Sequence, residues 1–152
     1  RWKIMDFPRV SNNGNLTYIE EKFDIPFQVK RIFWLTDIPE NCIRGMHAHK
    51  SVYEILIAVS GSFSVRVNDG QRVELFPLAS PSIGLLIAPQ VWIELFNFTS
   101  GSTCLVLASG SYNENDYIRD YAEFSQGQNG IHQGIHNDMN GSESATWNPL
   151  FH

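Results

Sequence analysis

Gly45-Met46-His47-Ala48-His49-Lys50-Ser51-Val52-Tyr53-Glu54-Ile55-Leu56-Ile57-Ala58-Val59-Ser60-Gly61 is the stretch on which the fold turns. Its two histidines stand one residue apart, and in an extended strand positions i and i+2 point to the same face, so both imidazoles enter one cavity. The apolar run Ile55 to Val59, closed by Ser60-Gly61, reads as a buried strand ending in a tight turn. Glu54 opens that run. Two groups that titrate near neutral pH, set beside a carboxyl on a rigid strand, suit proton transfer or metal binding.

Working outward, Ser62 to Val67, Asn68-Asp69-Gly70 and Gln71 to Leu75 form a strong hairpin signal. Ser82 to Ala88, Val91 to Phe98 and Ser102 to Ala108 are further apolar strands. On the N-terminal side, Ser11-Asn12-Asn13-Gly14 is a turn, Leu16 to Glu20 a strand, and Gln28 to Leu35 a strand that passes from polar alternation into a wholly apolar run. Short strands at regular spacing, without a long helical period, predict an all-β antiparallel sandwich or barrel. Only Asp116 to Phe124 reads as helix, with Asp116, Arg119 and Asp120 capping and bracing it. The expected organisation is one domain over residues 1–124 and a Gly/Asn/Ser-rich tail over 125–152, in which His132 and His136 sit in a small near-repeat.

The 152 residues are 43% hydrophobic, enough for one core. A formal charge of -5 without any Lys/Arg cluster argues against a nucleic-acid partner. Cys42 and Cys104 make neither a disulfide scaffold nor a CxxC metal site. No segment suits a signal peptide or a membrane span, so the expected location is the cytoplasm.

Written as a pattern, H-x-H, four residues, E, six residues, G resembles the first motif of the cupin superfamily, whose members are jelly-roll β-barrels. Gly84 and Pro89 fit the second motif, and its histidine position falls at Glu94, near Trp92. A closer resemblance covers residues 4 to 124. Asn13-Gly14-Asn15-Leu16, Ile25-Pro26-Phe27, Lys30-Arg31-Ile32, Arg44 to Lys50, Leu107-Ala108-Ser109, Tyr112, Asp116-Tyr117-Ile118-Arg119-Asp120-Tyr121 and Phe124 are similar to the WxcM-like sugar-nucleotide 3,4-ketoisomerases.

This resemblance implies a cupin jelly roll with a short C-terminal helix. It also implies a homodimer with an exchanged N-terminal strand, and conversion of dTDP-4-keto-6-deoxyglucose to a 3-keto sugar without metal or organic cofactor. Proton abstraction alpha to a carbonyl needs a base, a second proton carrier and a group that stabilises the enolate. His47 is the expected base and His49 the carrier. Arg44, Lys50, Tyr53, Glu54, Trp92 and Glu94 are the expected substrate-binding residues, with Arg44 offering a cation to phosphate or enolate and Trp92 flooring the pocket.

Three positions depart from the family pattern: Asn13 stands for an arginine, Phe33 for a tyrosine able to donate to the enolate, and Glu54 for a glutamine. Losing such a donor costs ~100-fold in rate or more unless Tyr18, Tyr53 or Trp34 replaces it. Two alternatives follow. In a metal-dependent cupin enzyme His47, His49, Glu54 and Glu94 would hold the ion; a non-catalytic dTDP-sugar binder would be the outcome of Asn13 and Phe33.

Overall fold

The computed structural model describes residues 1–131. Twelve strands and two helices follow in the order β1 (Trp2–Asp6), β2 (Arg9–Ser11), β3 (Asn15–Thr17), α1 (Glu21–Asp24), β4 (Arg31–Thr36), β5 (Arg44–His49), β6 (Glu54–Ser60), β7 (Phe63–Asn68), β8 (Val73–Leu78), β9 (Ile83–Ile87), β10 (Trp92–Phe96), β11 (Thr103–Ala108), β12 (Tyr117–Ile118) and α2 (Tyr121–Ile131). One sheet has the strand order β1-β9-β6-β11-β4 and the other β12-β5-β10-β7-β8; β2 and β3 form a separate hairpin. Among the described residues every strand pairing is antiparallel, as the spacing of short strands requires.

Alternation sorts the side chains. Leu56, Ala58, Val65, Val67, Leu85, Ile93, Leu95, Cys104 and Val106 meet between the sheets in the main core. Ile55, Ile57 and Leu107, the intervening residues of the first sheet, are covered on its outer side by Phe7 and Ile25. β6 is therefore buried on both faces, which explains its unbroken apolar run. Gly84 is needed here for space, since a Cβ would lie 2.6 Å from the Phe7 ring and 2.9 Å from Ile55.

The hairpin expected at Asn68-Asp69-Gly70 joins β7 to β8, with Asp69 accepting from the amides of Gln71 and Arg72. The helix expected over Asp116 to Phe124 is placed differently. A 3-10 turn spans Glu114–Asp116, β12 follows, and α2 begins only at Tyr121, where the Asp120 carboxylate accepts from the Ala122 amide. α2 then runs through the boundary expected at 124, and buried Gln128 donates to the Gln90 carbonyl at 3.3 Å. Residues 125–131 thus belong to the helix rather than to a tail. His132 and His136 lie outside the described residues. Cys42 and Cys104 are both free thiols.

Candidate active site

The strands deliver five positions to one end of the hollow. Across the first sheet Arg31, Ala108 and Glu54 are register neighbours on β4, β11 and β6. Facing them on the second sheet, Tyr117 of β12 is the register partner of His49 on β5. Antiparallel partners point to the same side of a sheet, so Tyr117 follows His49 inward.

β5 reaches this position through a bulge. Its register with β10 slips between Ile93 and Glu94, which pair with His47 and Gly45. Gly45 (φ 80°) and Met46 (φ 54°) both adopt the left-handed region. Glycine tolerates that conformation, and a Cβ at residue 45 would also meet the Ile93 carbonyl and the Leu95 side chain at 3.0 Å. Met46 bears the conformation at a cost on the order of 1 kcal/mol, and bulges of this kind re-aim the residues beyond them. Here those residues are the two histidines.

His47 is fully buried and His49 nearly so. Their rings meet edge to face at 5.2 Å. The His49 Nδ1 lies 2.8 Å from the Asp116 carboxylate, and its Nε2 is in close contact with the Glu54 carboxylate. The same Glu54 oxygen is 3.8 Å from the His47 Nε2. Burial disfavours charge on His49, but Glu54 and Asp116 outweigh it and raise the imidazole pKa above its ordinary value. Asp116 is itself anchored, accepting from the amide and hydroxyl of Ser51.

Glu54 divides the hollow. On one side a pocket is lined by Arg31, Phe33, His49, Asn113, Asp116 and Tyr117. On the other a narrow pocket places His47 among Leu35, Leu56, Ile93, Leu95 and Val106. The expectation that both imidazoles share one cavity is refined accordingly: they share a sheet face and a carboxylate, and each opens on its own pocket. One nitrogen of each histidine and one oxygen of Glu54 lie within 4.8 Å of one another, so these three could hold a metal ion.

The remaining expected residues lie elsewhere. Trp92 packs on the outer face of the second sheet against Tyr121 and Phe124, because its neighbour Ile93 takes the inward position, so it does not floor either pocket. Glu94, on the same outer face, pairs with Arg66 at 3.2 Å and accepts from the Trp92 indole. Arg44 is partly buried at the start of β5 and lines neither pocket; burial lowers its pKa from the ordinary value. Lys50 and Tyr53 are exposed at the rim, where the Lys50 amide donates to the Asp116 carbonyl and the Tyr53 ring lies 6.3 Å from Phe27. Tyr18 and Trp34, named as replacements for the missing hydroxyl, are exposed as well.

Sequence reasoning assigned no site role to Arg31, Asp116 or Tyr117. The one signal for them was the family-like ending from Asp116 to Tyr121, which no generic barrel requires.

Residues 1–129 match the family described as FdtA: WxcM-like, C-terminal. The chain is 38% identical over 125 residues to a TDP-4-oxo-6-deoxy-alpha-D-glucose-3,4-oxoisomerase from Aneurinibacillus thermoaerophilus, covering 82% of this chain and 90% of the relative. A mutant of the 3,4-ketoisomerase QdtA from Thermoanaerobacterium thermosaccharolyticum, crystallised with TDP-4-keto-6-deoxyglucose, superposes with a TM-score of 0.84 at 36% identity, covering 88% of this chain and 97% of that one. A 3,4-ketoisomerase from Helicobacter canadensis gives a TM-score of 0.81 at 43% identity over 84% of this chain and 97% of that one.

Proposed function

The chain belongs to the FdtA-type, WxcM-like C-terminal family, and we propose that it is a 3,4-ketoisomerase acting on dTDP-4-keto-6-deoxyglucose. The observation that carries this reading is His49 held between two carboxylates, with His47 beside it inside the hollow.

His47 removes the proton from C3 of the sugar, and the electron pair passes to the C4 oxygen to give an enediolate. A proton returned to C4, together with transfer of the O3 hydroxyl proton, leaves the ketone at C3. Glu54 and Asp116 favour the protonated form of His49, which gives it a proton to pass on, and it shuttles protons between the two oxygens. His47, packed among aliphatic side chains, is kept from water. All these steps use side chains of the chain itself, so the reaction is proposed to need no metal or organic cofactor. The alternative of a metal held by His47, His49 and Glu54 predicts stoichiometric metal in the purified protein, with activity lost on chelation.

The sugar ring is proposed to approach the histidines and the nucleotide to lie outside the two pockets, where Arg44, Lys50 and Tyr53 remain candidates for contact with it. A homodimer with exchanged N-terminal strands belongs to the same proposal. The hairpin β2–β3 stands apart from both sheets, and β4, at the end of its sheet, exposes Trp34 to 62% beside Ile32. An open strand edge and an unattached hairpin with exposed Val10 and Leu16 suit mutual pairing between copies. Light scattering that finds only monomer at micromolar concentration overturns this part. Among the described residues no helix is long and apolar enough to cross a membrane. The cytoplasm is the proposed location because nucleotide sugars are made where nucleoside triphosphates are available.

The test of the activity is incubation with dTDP-4-keto-6-deoxyglucose in heavy water, followed by NMR. Deuterium entering at C3 and a new 3-keto product are expected. Binding of the sugar nucleotide without any exchange would instead identify a non-catalytic binder.

A further inference from the structure

The family's usual tyrosine is absent at Phe33, and a phenol elsewhere on the chain takes up the same region of the pocket. Tyr117 is buried, and its ring stands 5.0 Å from that of His47 and 4.4 Å from that of His49. Across the hollow the Arg31 guanidinium donates to the Tyr117 hydroxyl oxygen at 3.3 Å. Arg31 is itself fixed by rings on two sides, lying 4.4 Å from the centre of Phe33 and 5.1 Å from that of Tyr112. Phe33 thus supports the cation that touches the phenol.

We propose that Tyr117, oriented and polarised by Arg31, is the hydrogen-bond donor to the enediolate oxygen, doing the work of the hydroxyl that Phe33 lacks. A guanidinium only donates, so the phenol oxygen accepts from Arg31 and its own proton is directed toward a second acceptor. A sugar oxygen in the pocket shared by Arg31, His49 and Glu54 is such an acceptor. Burial and the nearby Glu54 raise the phenol pKa above its ordinary value against the pull of Arg31 and Arg119, so Tyr117 keeps its proton at neutral pH. The group acts by donation that strengthens as charge grows on the oxygen, without net transfer of its proton. Tyr117 is the catalytic residue of the pair and Arg31 the positioning one.

This inference rests on the ketoisomerase reading, and the experiment separates the two. Steady-state turnover of dTDP-4-keto-6-deoxyglucose is measured for the full chain and for Tyr117→Phe, Arg31→Gln and the double variant Tyr117→Phe/Phe33→Tyr. The expected result is a kcat lowered ~100-fold in Tyr117→Phe with KM little changed, and a recovery of about tenfold or more when Phe33→Tyr is added. Recovery by a hydroxyl at residue 33 is something that a structural role of Tyr117 does not produce. A Tyr117→Phe enzyme with kcat within about threefold of the parent, or a double variant no faster than the single one, overturns the assignment. Should Tyr117→Phe not fold, Arg31→Gln carries the decision: a fall of about tenfold in kcat supports the pair, and an unchanged kcat overturns it. A parent protein without turnover overturns the ketoisomerase reading and this inference with it.

Discussion

The two pockets on either side of Glu54 are opposite in character. Around His49 four elements bring a polar or charged group: Arg31 from β4, Glu54 from β6, Asp116 from the 3-10 turn and Tyr117 from β12. Around His47 the walls are Leu35, Leu56, Ile93, Leu95 and Val106, with Glu54 the one charged neighbour lining the pocket. Two imidazoles only one residue apart on one strand therefore sit in different electrostatic surroundings. One is held at both nitrogens by carboxylates that favour its charged form; the other is sheltered from water beside a carboxylate. Catalysis by proton transfer needs such a pair, because a base and an acid must coexist at one pH.

The largest expected effect tests this division directly. His47→Asn should lower C3 exchange by about 10²–10⁴-fold, the range for loss of a general base. Exchange that survives in His47→Asn while vanishing in His49→Asn would reverse the two roles. Next is the tether on the polar side. Asp116→Asn leaves the shape of the site and removes one of two carboxylates on His49, so kcat should fall roughly 10- to 100-fold with KM nearly unchanged.

The same contact carries a smaller consequence for stability. The His49 pKa is raised on folding, so the stabilisation from its protonated form is fully present below the unfolded value of about 6.5 and is lost as pH rises through the higher folded value. Melting temperature measured from pH 6 upward should decline over that window, and Asp116→Asn should flatten the decline. The smallest expected effect on chemistry, and a moderate one on stability, comes from Gly45→Ala. The added methyl meets the Ile93 carbonyl and Leu95 in a left-handed backbone, costing about 1–3 kcal/mol in urea unfolding. An unchanged midpoint would mean that β5 does not need its bulge to aim the histidines.

Much of this was written in local pattern. The Asn68-Asp69-Gly70 turn, the apolar run of β6 and the i, i+2 histidines declare themselves because each depends only on near neighbours. Trp92 was expected in the pocket because the outer face of β10 also carries large apolar residues, Trp92 and Phe96 around Glu94, and alternation alone cannot say which set looks inward. Asp116 was misread because an acidic residue shortly before a helical run looks like a cap; the cap is Asp120, and Asp116 serves His49 from 67 residues away. Tyr117 and Arg31 escaped for the same reason, since their meeting across the hollow spans 86 residues of chain. Contacts of that range are decided by topology, and no single window of sequence contains them.

β12 is only two residues long, yet Tyr117 and the adjoining Asp116 reach the histidines on it after β1 to β11 have already been laid down. The aliphatic interior between the sheets draws no residue from beyond Val106, while the polar pocket takes a wall from residues 110–117. A chain cut shortly after Ala108 would keep every strand of the first sheet and still lack the anchor of His49, the phenol beside it and the α2 side chains that cover Trp92, so the last stretch of the polypeptide completes the pocket rather than the interior.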